Sequence, residues 1–321
     1  MELTFRTIDD NNGKKLDKMF GVKSSFLSVE PSGCIIPPHF VFLATKIRDM
    51  EVYDDDVWMV SYPRTGSHWA QEMVWCIGND YNYEKTKVPL LIRNPLLESS
   101  ALMVTGKYVQ FFSQFGNSVE NVEKMARPRY IKSHLPWQLL PQQIHEKKPK
   151  VIYVTRNPKD TCVSFYHYCK LMHDMEGTFS DFAELFLNNS APMGPLWKHA
   201  MEFWKRRKEE KILFLTYEEM KTNQIGVIKK TADFMGKKCS DEQANELANH
   251  LEFSKMAANP AINLESILSS NGADNKFIRK GEIGDWKNYM DEKLSKKFDE
   301  WTEKYFVKFG LTFNCNTSSE P

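Results

Sequence analysis

Hydrophobic and polar positions follow two periodicities along this chain, and these periodicities predict strands and helices. Continuously apolar runs are typical of parallel strands that are covered on both faces. The predicted strands are residues 57–62, 129–132, 150–155 and 212–216, and the runs that begin at 57, 151 and 212 are continuously apolar. Longer amphipathic stretches predict helices at 66–79, 158–172, 195–209, 218–236 and 241–250. This alternation predicts an α/β fold, in which helices flank a central, mostly parallel β-sheet.

Three parts of the chain carry no clear periodicity. Residues 1 to about 20 and the tail 314–321 are polar, so we expect both ends to be peripheral or frayed. Segment 86–118 is apolar but irregular, and it could be a mobile cover over an apolar pocket or a packed loop. No Gly/Ser-rich or Pro-rich linker divides the chain, so residues 1–321 are predicted to form a single domain.

The composition predicts a buried core and argues against some classes of binding partner. Hydrophobic residues make up 41% of the chain and aromatic residues 13%, which is ample for a buried core. The net charge is only +1, which predicts neither a nucleic-acid nor a membrane partner. Any anion-binding site must therefore depend on local clusters of cationic side chains.

The cysteines and the amino-terminal residues bear on the cellular compartment. The six cysteines are scattered and include no Cys-x-x-Cys pair, which favours free thiols in a reducing compartment. The first twenty residues are polar and lack the apolar run of a secretion signal. No stretch approaches the ~18 apolar residues of a membrane-spanning helix. The expected location is therefore the cytoplasm.

The residues that follow the predicted strands carry most of the candidate chemistry. Ligands of open α/β sheets bind outside the carboxyl ends of the strands. Three of the four ends present a cation or a histidine, namely Arg64 and His68, Lys132 and His134, and Arg156. No end presents an acid that plainly faces a phosphate, as a Mg²⁺-dependent kinase requires, although Asp160 and Glu218 lie nearby. This pattern predicts an anion that is neutralised by the protein's own cations, without a metal.

Two glycine-bearing segments have the character of anion-binding backbone. Residues 62–69 (YPRTGSHW) turn from a strand into a helix, as a phosphate cradle does, but they lack the P-loop spelling G-x-x-x-x-G-K-[ST]. Residues 277–287 (FIRKGEIGDWK) place two adjacent cations ahead of two glycines. Glycine tolerates positive φ, which lets a backbone wrap closely around an anion.

Taken together, these motifs resemble those of the cytosolic sulfotransferases, and of insect members more than vertebrate ones. YPRTGSHW resembles the 5′-phosphosulfate loop of that family, usually spelled YPKSGTTW, and residues 279–287 match its RKGxxGDWK signature letter for letter. KSHLP, VIYVTRNPKD and LTYEEMK fall between the two motifs in the family's order. The resemblance covers roughly residues 35 to 305.

The resemblance implies a fold related to P-loop nucleotide kinases and a transfer reaction. The donor would be 3′-phosphoadenosine 5′-phosphosulfate (PAPS) and the product PAP. The sulfuryl group would move to a hydroxyl or amine of a small hydrophobic acceptor, such as a phenol, steroid or retinoid-like alcohol. No metal would take part.

The resemblance also implies a role for each matching residue. The 5′-phosphosulfate would be surrounded by Arg64, Thr65, Gly66, Ser67 and His68. The 3′-phosphate would be held by Arg156, Ser164, Arg279, Lys280 and Gly281. The adenine would be framed by Trp69, Tyr217 and Phe253. His134 would be the general base, and Lys132 and Arg64 would neutralise charge on the transferring group.

The chain departs from the family pattern at four places, one of which is Leu251-Glu252 where the family commonly has Thr-Ser before the adenine-side Phe253. Arg64 replaces the usual lysine of the loop and His68 replaces its second threonine. A protonated His68 would make donor affinity depend on pH, whereas a neutral His68 would still donate one hydrogen bond. The family's dimer signature KxxxTVxxxE is reduced to Lys287, so a monomer and a dimer are both open.

The acceptor and two competing functions are left open by the sequence. Candidate acceptor-pocket residues are Phe40, Phe42, Trp137 and Tyr168, with Phe111 and Phe112, although all of them could equally be core. A catalytically weak carrier that binds PAP or PAPS and an apolar ligand is one alternative, and a P-loop nucleotide kinase is another. The helical stripe Cys162, Tyr166, Cys169 and His173 is interpreted as a buried helix face instead of a metal site.

Overall fold

A computed structural model of the chain describes residues 3–103, 106, 108–265, 268 and 276–313. Seven of its strands form two sheets. The smaller, antiparallel sheet has the order β1 (Thr4–Thr7), β2 (Leu27–Glu30) and β3 (Cys34–Ile36). The central sheet contains β4 (Val57–Ser61), β5 (Tyr130–Ser133), β6 (Lys150–Thr155) and β7 (Ile212–Thr216).

The central sheet is parallel and has the strand order β5-β4-β6-β7. All five residues of β4 are buried, because it lies inside the sheet and both of its faces are covered. Successive side chains alternate between two apolar clusters, with Trp58 on one side and Met59 on the other. The α/β prediction is confirmed, and the carboxyl ends of the four predicted strands meet along one edge.

Helices cover both faces of the central sheet. The longer ones are Asn11–Phe20, Phe40–Asp49, Ser67–Gly78, Pro158–His173, Phe179–Leu187, Leu196–Arg206, Gln224–Met235, Asp241–His250 and Glu292–Tyr305. The shorter ones are Leu90–Arg93, Ser99–Leu102, Val109–Ser113, Ser118–Glu123, Ile144–Lys147, Tyr217–Thr222, Phe253–Ala258 and Pro260–Asn263. Single 3₁₀ turns occupy Tyr83–Lys87, Trp137–Leu139, Asp285–Asn288 and Val307–Phe309. None of the described helices is long and apolar enough to cross a bilayer.

The prediction of one continuous helix at 218–236 is wrong, because two helices occupy that range. Thr216 caps the first helix by accepting the Glu219 N–H at 3.1 Å. Asn223 ends that helix and caps the next by accepting the Gly226 N–H at 3.2 Å. Asparagine favours helix caps because its short side chain competes for backbone donors.

The amino-terminal residues also differ from expectation. Thr4–Thr7 forms a strand and Asn11–Phe20 forms a helix, which Asp10 caps by accepting the Gly13 N–H at 2.9 Å. Leu16, Met19 and Phe20 are buried in the core cluster on that side of the sheet. Burial of this helix face holds the segment in place against the predicted fraying. The polar tail 314–321 lies outside the described residues.

Segment 86–118 packs against the end of β5 through short helices and backbone hydrogen bonds. The Lys132 N–H donates to Pro95 O at 2.9 Å, and the Leu97 N–H donates to Lys132 O at 2.9 Å. This pairing extends the sheet edge by a single bridge between Leu96 and Lys132. The segment therefore lies against the strand end that carries the candidate catalytic residues.

Candidate active site

A cavity of about 920 Å³ opens where the carboxyl ends of the central strands meet. Its walls include every predicted cofactor-binding and catalytic residue except Thr65. These residues are Arg64, Gly66, Ser67, His68, Trp69, Lys132, His134, Arg156, Ser164, Tyr217, Phe253, Arg279, Lys280 and Gly281. Residues that are far apart in sequence are thus gathered around one space, as expected of side chains that follow parallel strands.

Thr65 is the exception, because its side chain does not face the cavity, so a contact of that side chain with the phosphosulfate is not supported. Its side chain is fully buried, and its hydroxyl lies 2.9 Å from Tyr62 O and 3.0 Å from Val154 O. The hydroxyl therefore donates to backbone carbonyls of the turn and of β6. Thr65 holds the shape of the turn and does not line the cavity.

The turn after β4 bends sharply before a helix begins at Ser67. Arg64 has a φ of 69° and Gly66 a φ of 98°. A Cβ on Gly66 would lie 2.6 Å from the Tyr217 ring, so only glycine fits there. The first N–H groups of the twelve-residue helix Ser67–Gly78 have no intrahelical partner and can bind an anion.

The Arg64 side chain extends from this turn toward the residues assigned to the 3′-phosphate. Its Nε donates to Ser164 Oγ at 3.1 Å and its Nη2 donates to Phe277 O at 2.8 Å. The guanidinium also lies over the rings of Tyr168 and Phe277. The guanidinium therefore contacts a residue assigned to the 3′-phosphate, although Arg64 itself belongs to the turn assigned to the 5′-phosphosulfate.

His134 is oriented by hydrogen bonds that fix its tautomer. Its Nδ1 lies 2.8 Å from Ser61 O, and a carbonyl can only accept, so Nδ1 carries the proton. Burial and the adjacent Lys132 hold the pKa of His134 well below its ordinary value. The ring is therefore neutral near pH 7, and its Nε2 carries a lone pair in a residue that lines the cavity.

Glu98 is a supporting residue that the sequence did not reveal. One of its carboxylate oxygens accepts a hydrogen bond from the backbone N–H of His134 at 2.6 Å, and the other accepts one from the Ser133 hydroxyl at 3.0 Å. Burial raises the pKa of Glu98 to about 7, although these hydrogen bonds oppose the rise. Glu98 comes from the irregular segment 86–118, where no strand or motif pointed to it.

His199 and Tyr153 also carry no signal in the sequence, and they hold the His134 backbone from behind. The His199 Nε2 donates to His134 O at 3.0 Å, and the Tyr153 hydroxyl lies 2.8 Å from His199 Nδ1. With its Nε2 acting as the donor, a neutral His199 accepts the Tyr153 proton at Nδ1. Burial lowers the pKa of His199 to about 4, which keeps it neutral at pH 7.

Lys132 and His68 both line the cavity, and burial lowers the pKa of each. Burial lowers the pKa of Lys132 to about 7; Glu98 opposes this change and Arg64 adds to it. Burial, together with Lys132 and Arg64, holds the pKa of His68 well below its ordinary value. The His68 ring also packs edge-on against Phe277 at 4.6 Å between centroids. A neutral His68 is therefore favoured over the protonated alternative.

The far end of the cavity gathers the cations assigned to a 3′-phosphate. Arg156 lies over the Tyr217 ring and donates from Nη2 to Glu282 O at 2.6 Å. Asp285 pairs with both Arg279 and Lys280. Burial opposes ionisation of Asp285, but its hydrogen bonds from Lys280 and Arg279 hold its pKa at about 2. These cations therefore stand preorganised at one end of the cavity.

The two acids near the strand ends have structural partners. Asp160 accepts the backbone N–H groups of Gly284 and Trp286, at 2.8 and 3.1 Å, which ties the glycine-bearing loop to the helix after β6. Glu218 accepts the Asn157 N–H at 3.0 Å. Both oxygens of Asp160 are thereby occupied in shaping the backbone around the cavity, whereas Glu218 uses only Oε1 and its Oε2 is buried without a partner among the described residues.

A group with metal-ligating side chains lies outside the cavity walls. Within the described ranges, Glu72, Cys76 and His250 offer ligand atoms within 4.8 Å of one another. Arg93 forms a buried ion pair with Glu72, and His250 Nε2 lies 2.8 Å from the same carboxylate. The carboxylate is therefore already paired with a cation. In the predicted helical stripe, Cys162 and Cys169 are buried in the core cluster, as a packed helix face requires.

The other end of the cavity is apolar, and three of the four main acceptor-pocket candidates are not in it. Its walls include Phe20, Phe26, Phe112, Phe165, Tyr168 and Met193. Phe40 is in the core, whereas Phe42 is 78% exposed on the outside of its helix. Trp137 packs on Phe203 and lies under the Arg206 guanidinium. Only Tyr168 of those four lines the cavity, together with Phe112 but without Phe111.

Comparisons with known proteins agree on one family. Residues 54–310 match the model of the sulfotransferase domain. Luciferin sulfotransferase of Photinus pyralis is 37% identical over 272 residues, which cover 81% of this chain and 74% of that protein. Human sulfotransferase 1E1 is 32% identical over 88% of this chain and 95% of its own length.

Solved structures give the same result at the level of the fold. Retinol dehydratase in complex with retinol and PAP superposes with a TM-score of 0.90 at 27% identity, covering 98% of this chain and 99% of that one. Mouse sulfotransferase SULT7A1 complexed with PAP has a TM-score of 0.67 at 27% identity, covering 85% and 92% of the two chains.

Proposed function

Because this chain belongs to the sulfotransferase family and is a PAPS-dependent transferase, we propose that it sulfates a hydroxyl group of a hydrophobic acceptor with His134 as the general base. The observation that carries the proposal is the orientation of His134. Its Nδ1 proton is held by Ser61 O, so its basic Nε2 is free to act in the cavity. The cations at one end of the cavity can bind the donor nucleotide, and the apolar walls at the opposite end can bind the acceptor. These are the two binding regions that such a transfer needs.

The residues around the cavity fit the donor nucleotide. The Nε of Arg156 is buried without a hydrogen-bond partner in the described part of the chain, and so it is available to a phosphate oxygen. Gly66 and Gly281 leave space beside Tyr217 and Phe253 that a Cβ would fill. When bound, the donor supplies an activated sulfuryl group, whose bond to the 5′-phosphate oxygen breaks in the transfer.

Groups of the chain itself accept one proton and stabilise the negative charges that develop during the transfer. His134 Nε2 takes the proton from the acceptor hydroxyl as the new oxygen–sulfur bond forms. The old sulfur–oxygen bond breaks, and its electron pair remains on the 5′-phosphate of PAP. Lys132 and the N–H groups of the helix beginning at Ser67 stabilise that charge. His134 afterwards releases the proton to solvent.

Two structures of one relative guide the choice of acceptor. Retinol dehydratase was solved with retinol in one complex and with androsterone in another. An apolar cavity end with aromatic walls suits an elongated, flat alcohol of that kind. A panel of retinol, androsterone and simple phenols, compared by kcat/KM, tests this proposal. A preference for the smallest phenols would contradict it.

Elimination after sulfation is a second candidate outcome, favoured by the full-length similarity to retinol dehydratase. In that reaction the acceptor would first become a sulfate ester. Sulfate would then leave with the bonding electron pair, and a carbon-bound proton would be lost to a base. Mass spectrometry of the retinol product separates a sulfate ester from an anhydro product.

Donor affinity is expected to fall as pH rises above 7 because of Lys132. Burial lowers the pKa of Lys132 to about 7, and a bound anion raises it again. Binding therefore takes up a proton above pH 7, and affinity for PAP should weaken by as much as about tenfold per pH unit. Calorimetric titration of PAP between pH 7 and 9 measures this dependence.

Two variants test whether Lys132 is the titrating group. Lys132→Met should bind PAP more weakly but with an affinity that is flat over the same range. His68→Gln should retain the slope of the native protein, since His68 is already neutral. A flat profile for the native protein would contradict the assignment.

Glu98→Gln is expected to move the alkaline limb of the pH–rate profile to lower pH. The Glu98 carboxylate favours the charged form of Lys132, so its removal lowers the lysine pKa further. A shift of one unit would reduce kcat/KM about tenfold at pH 8, and the loss would shrink toward pH 6. The matched control is Glu202→Gln, a half-buried carboxyl outside the cavity. An unshifted profile with uniformly lower activity would assign Glu98 a purely structural role.

A further inference from the structure

Exposed apolar side chains collect at the mouth of the cavity. Among the described residues, seven large hydrophobic side chains are exposed; three of them, Val22, Ile92 and Phe115, also line the cavity. Their exposed fractions are 44%, 53% and 40%. A side chain that lines a cavity and is also this exposed lies at its opening. Phe42, at 78%, adjoins the mouth through its ring contact with His39, another lining residue.

The fold brings these side chains to one opening from separate segments. Pairing of Leu27 with Ile36 places the residues before β2 beside those after β3. The helix that carries Phe42 is joined to Ser118–Glu123 by the ion pair between Lys46 and Glu120, at 2.7 Å. We call this surface the mouth rim and define it as Val22, Lys23, His39, Phe42, Phe115 and Lys124.

The mouth rim is positive as well as apolar. Lys23 and Lys124 are both exposed and both line the cavity. The acidic side chains that line the cavity, within the described part of the chain, are Asp160, Glu282 and Asp285. All three belong to the nucleotide end. Acids on neighbouring segments offset part of the rim's charge, because Asp17 lies close to Lys23 and Glu120 lies close to Lys124. The rim as defined still carries two lysines and no acid, which suits an anionic surface, although the net charge of the whole chain is only +1.

We propose that the mouth rim docks the protein on an anionic lipid surface, so that the hydrophobic acceptor enters the cavity directly from the bilayer. The docking rests on the rim alone, and the entry of the acceptor rests on the proposed function. Apolar side chains flanked by lysines are typical of surfaces that bind lipid interfaces. The prediction of no membrane partner rested on net charge, which averages over the chain and does not detect a local rim.

Vesicle flotation tests the docking without any enzymatic step. The full chain is mixed with vesicles of phosphatidylcholine, or of phosphatidylcholine with phosphatidylserine, and spun through a density gradient. We expect the protein to float with the mixed vesicles and to lose about fivefold in affinity for each of Lys23→Gln and Lys124→Gln. No flotation at low salt with either vesicle would overturn the proposal.

A matched pair of variants separates the rim from general surface hydrophobicity. Phe42→Asp with Phe115→Asp should abolish flotation, whereas Phe309→Asp, at an exposed residue that does not line the cavity, should float as the native protein does. PAP binding reports that each variant is folded. Equal loss in both variants would overturn the assignment to the rim. Loss of acceptor delivery from a protein carrier, with vesicle binding unaffected, would assign the rim to a protein partner instead.

A failure of docking is distinguishable from a failure of the proposed function. Turnover of a water-soluble phenol measures sulfation without any lipid. Turnover without vesicle binding overturns the docking alone. Vesicle binding without turnover of any acceptor in the panel overturns the proposed reaction alone.

Discussion

Replacing His134 by alanine is expected to lower sulfuryl transfer by about 10²–10⁴-fold while PAP binding is retained. The ring supplies the lone pair that accepts the acceptor proton, and its Nδ1 hydrogen bond to Ser61 O holds that lone pair toward the cavity. Alanine removes the base and leaves the nucleotide end unchanged. Rates of sulfated product formation and calorimetric binding of PAP measure the two properties separately.

A second histidine provides the control for this experiment. His145→Ala removes a ring that packs against Trp137 and does not line the cavity. It should transfer sulfate at the native rate. The native enzyme should also show no loss of activity from His134 protonation between pH 8 and 6, since the pKa of His134 is well below its ordinary value. Near-native turnover of His134→Ala would remove His134 from the role of base.

Gly281→Ala is expected to weaken PAP binding by roughly 10–100-fold. Gly281 has a φ of +66°, and a Cβ there would lie 2.1 Å from the Phe253 ring. The left-handed conformation costs alanine about 1 kcal/mol or more. Displacing Phe253 also removes an aromatic surface for the adenine, where stacking is worth about 1–3 kcal/mol. Calorimetric titration with PAP measures the loss.

Gly310→Ala separates the two causes. Gly310 has a similar φ, +79°, but a Cβ there would have no atom within 4 Å. This variant should lose some stability in urea denaturation and none of its affinity for PAP. If Gly281→Ala also bound PAP like the native protein, Phe253 would not frame the adenine.

The strand-end residues could be predicted because their positions depend on local sequence and on one topological rule. Continuous apolar runs identify three of the buried strands, short β-rich character identifies the fourth, and parallel strands in one sheet bring their carboxyl ends together. Lys132, His134 and Arg156 could therefore be assigned to one edge of the sheet from the sequence alone. The structure adds how they are held, which determines their protonation.

Other parts of the site depend on long-range packing that local patterns do not encode. Glu98 reaches His134 because segment 86–118 pairs with the end of β5, and nothing in its own periodicity indicates this pairing. Phe40 and Trp137 are aromatic, as pocket residues often are, but an aromatic side chain in a core gives the same pattern. The amino-terminal helix did leave a signal, because Leu16, Met19 and Phe20 follow the spacing of a helix face.

Transfer of labelled sulfate tests the central claim most directly. The purified chain is incubated with PAPS carrying ³⁵S and with retinol, androsterone or a phenol, with His134→Ala in parallel. The account predicts ³⁵S in an organic ester, one equivalent of PAP for each ester formed, and both products lowered by about 10²–10⁴-fold with the variant. The contradicting result is a chain that binds PAP and the acceptor but forms neither a labelled ester nor free labelled sulfate with any of these alcohols. That result would favour a catalytically weak carrier.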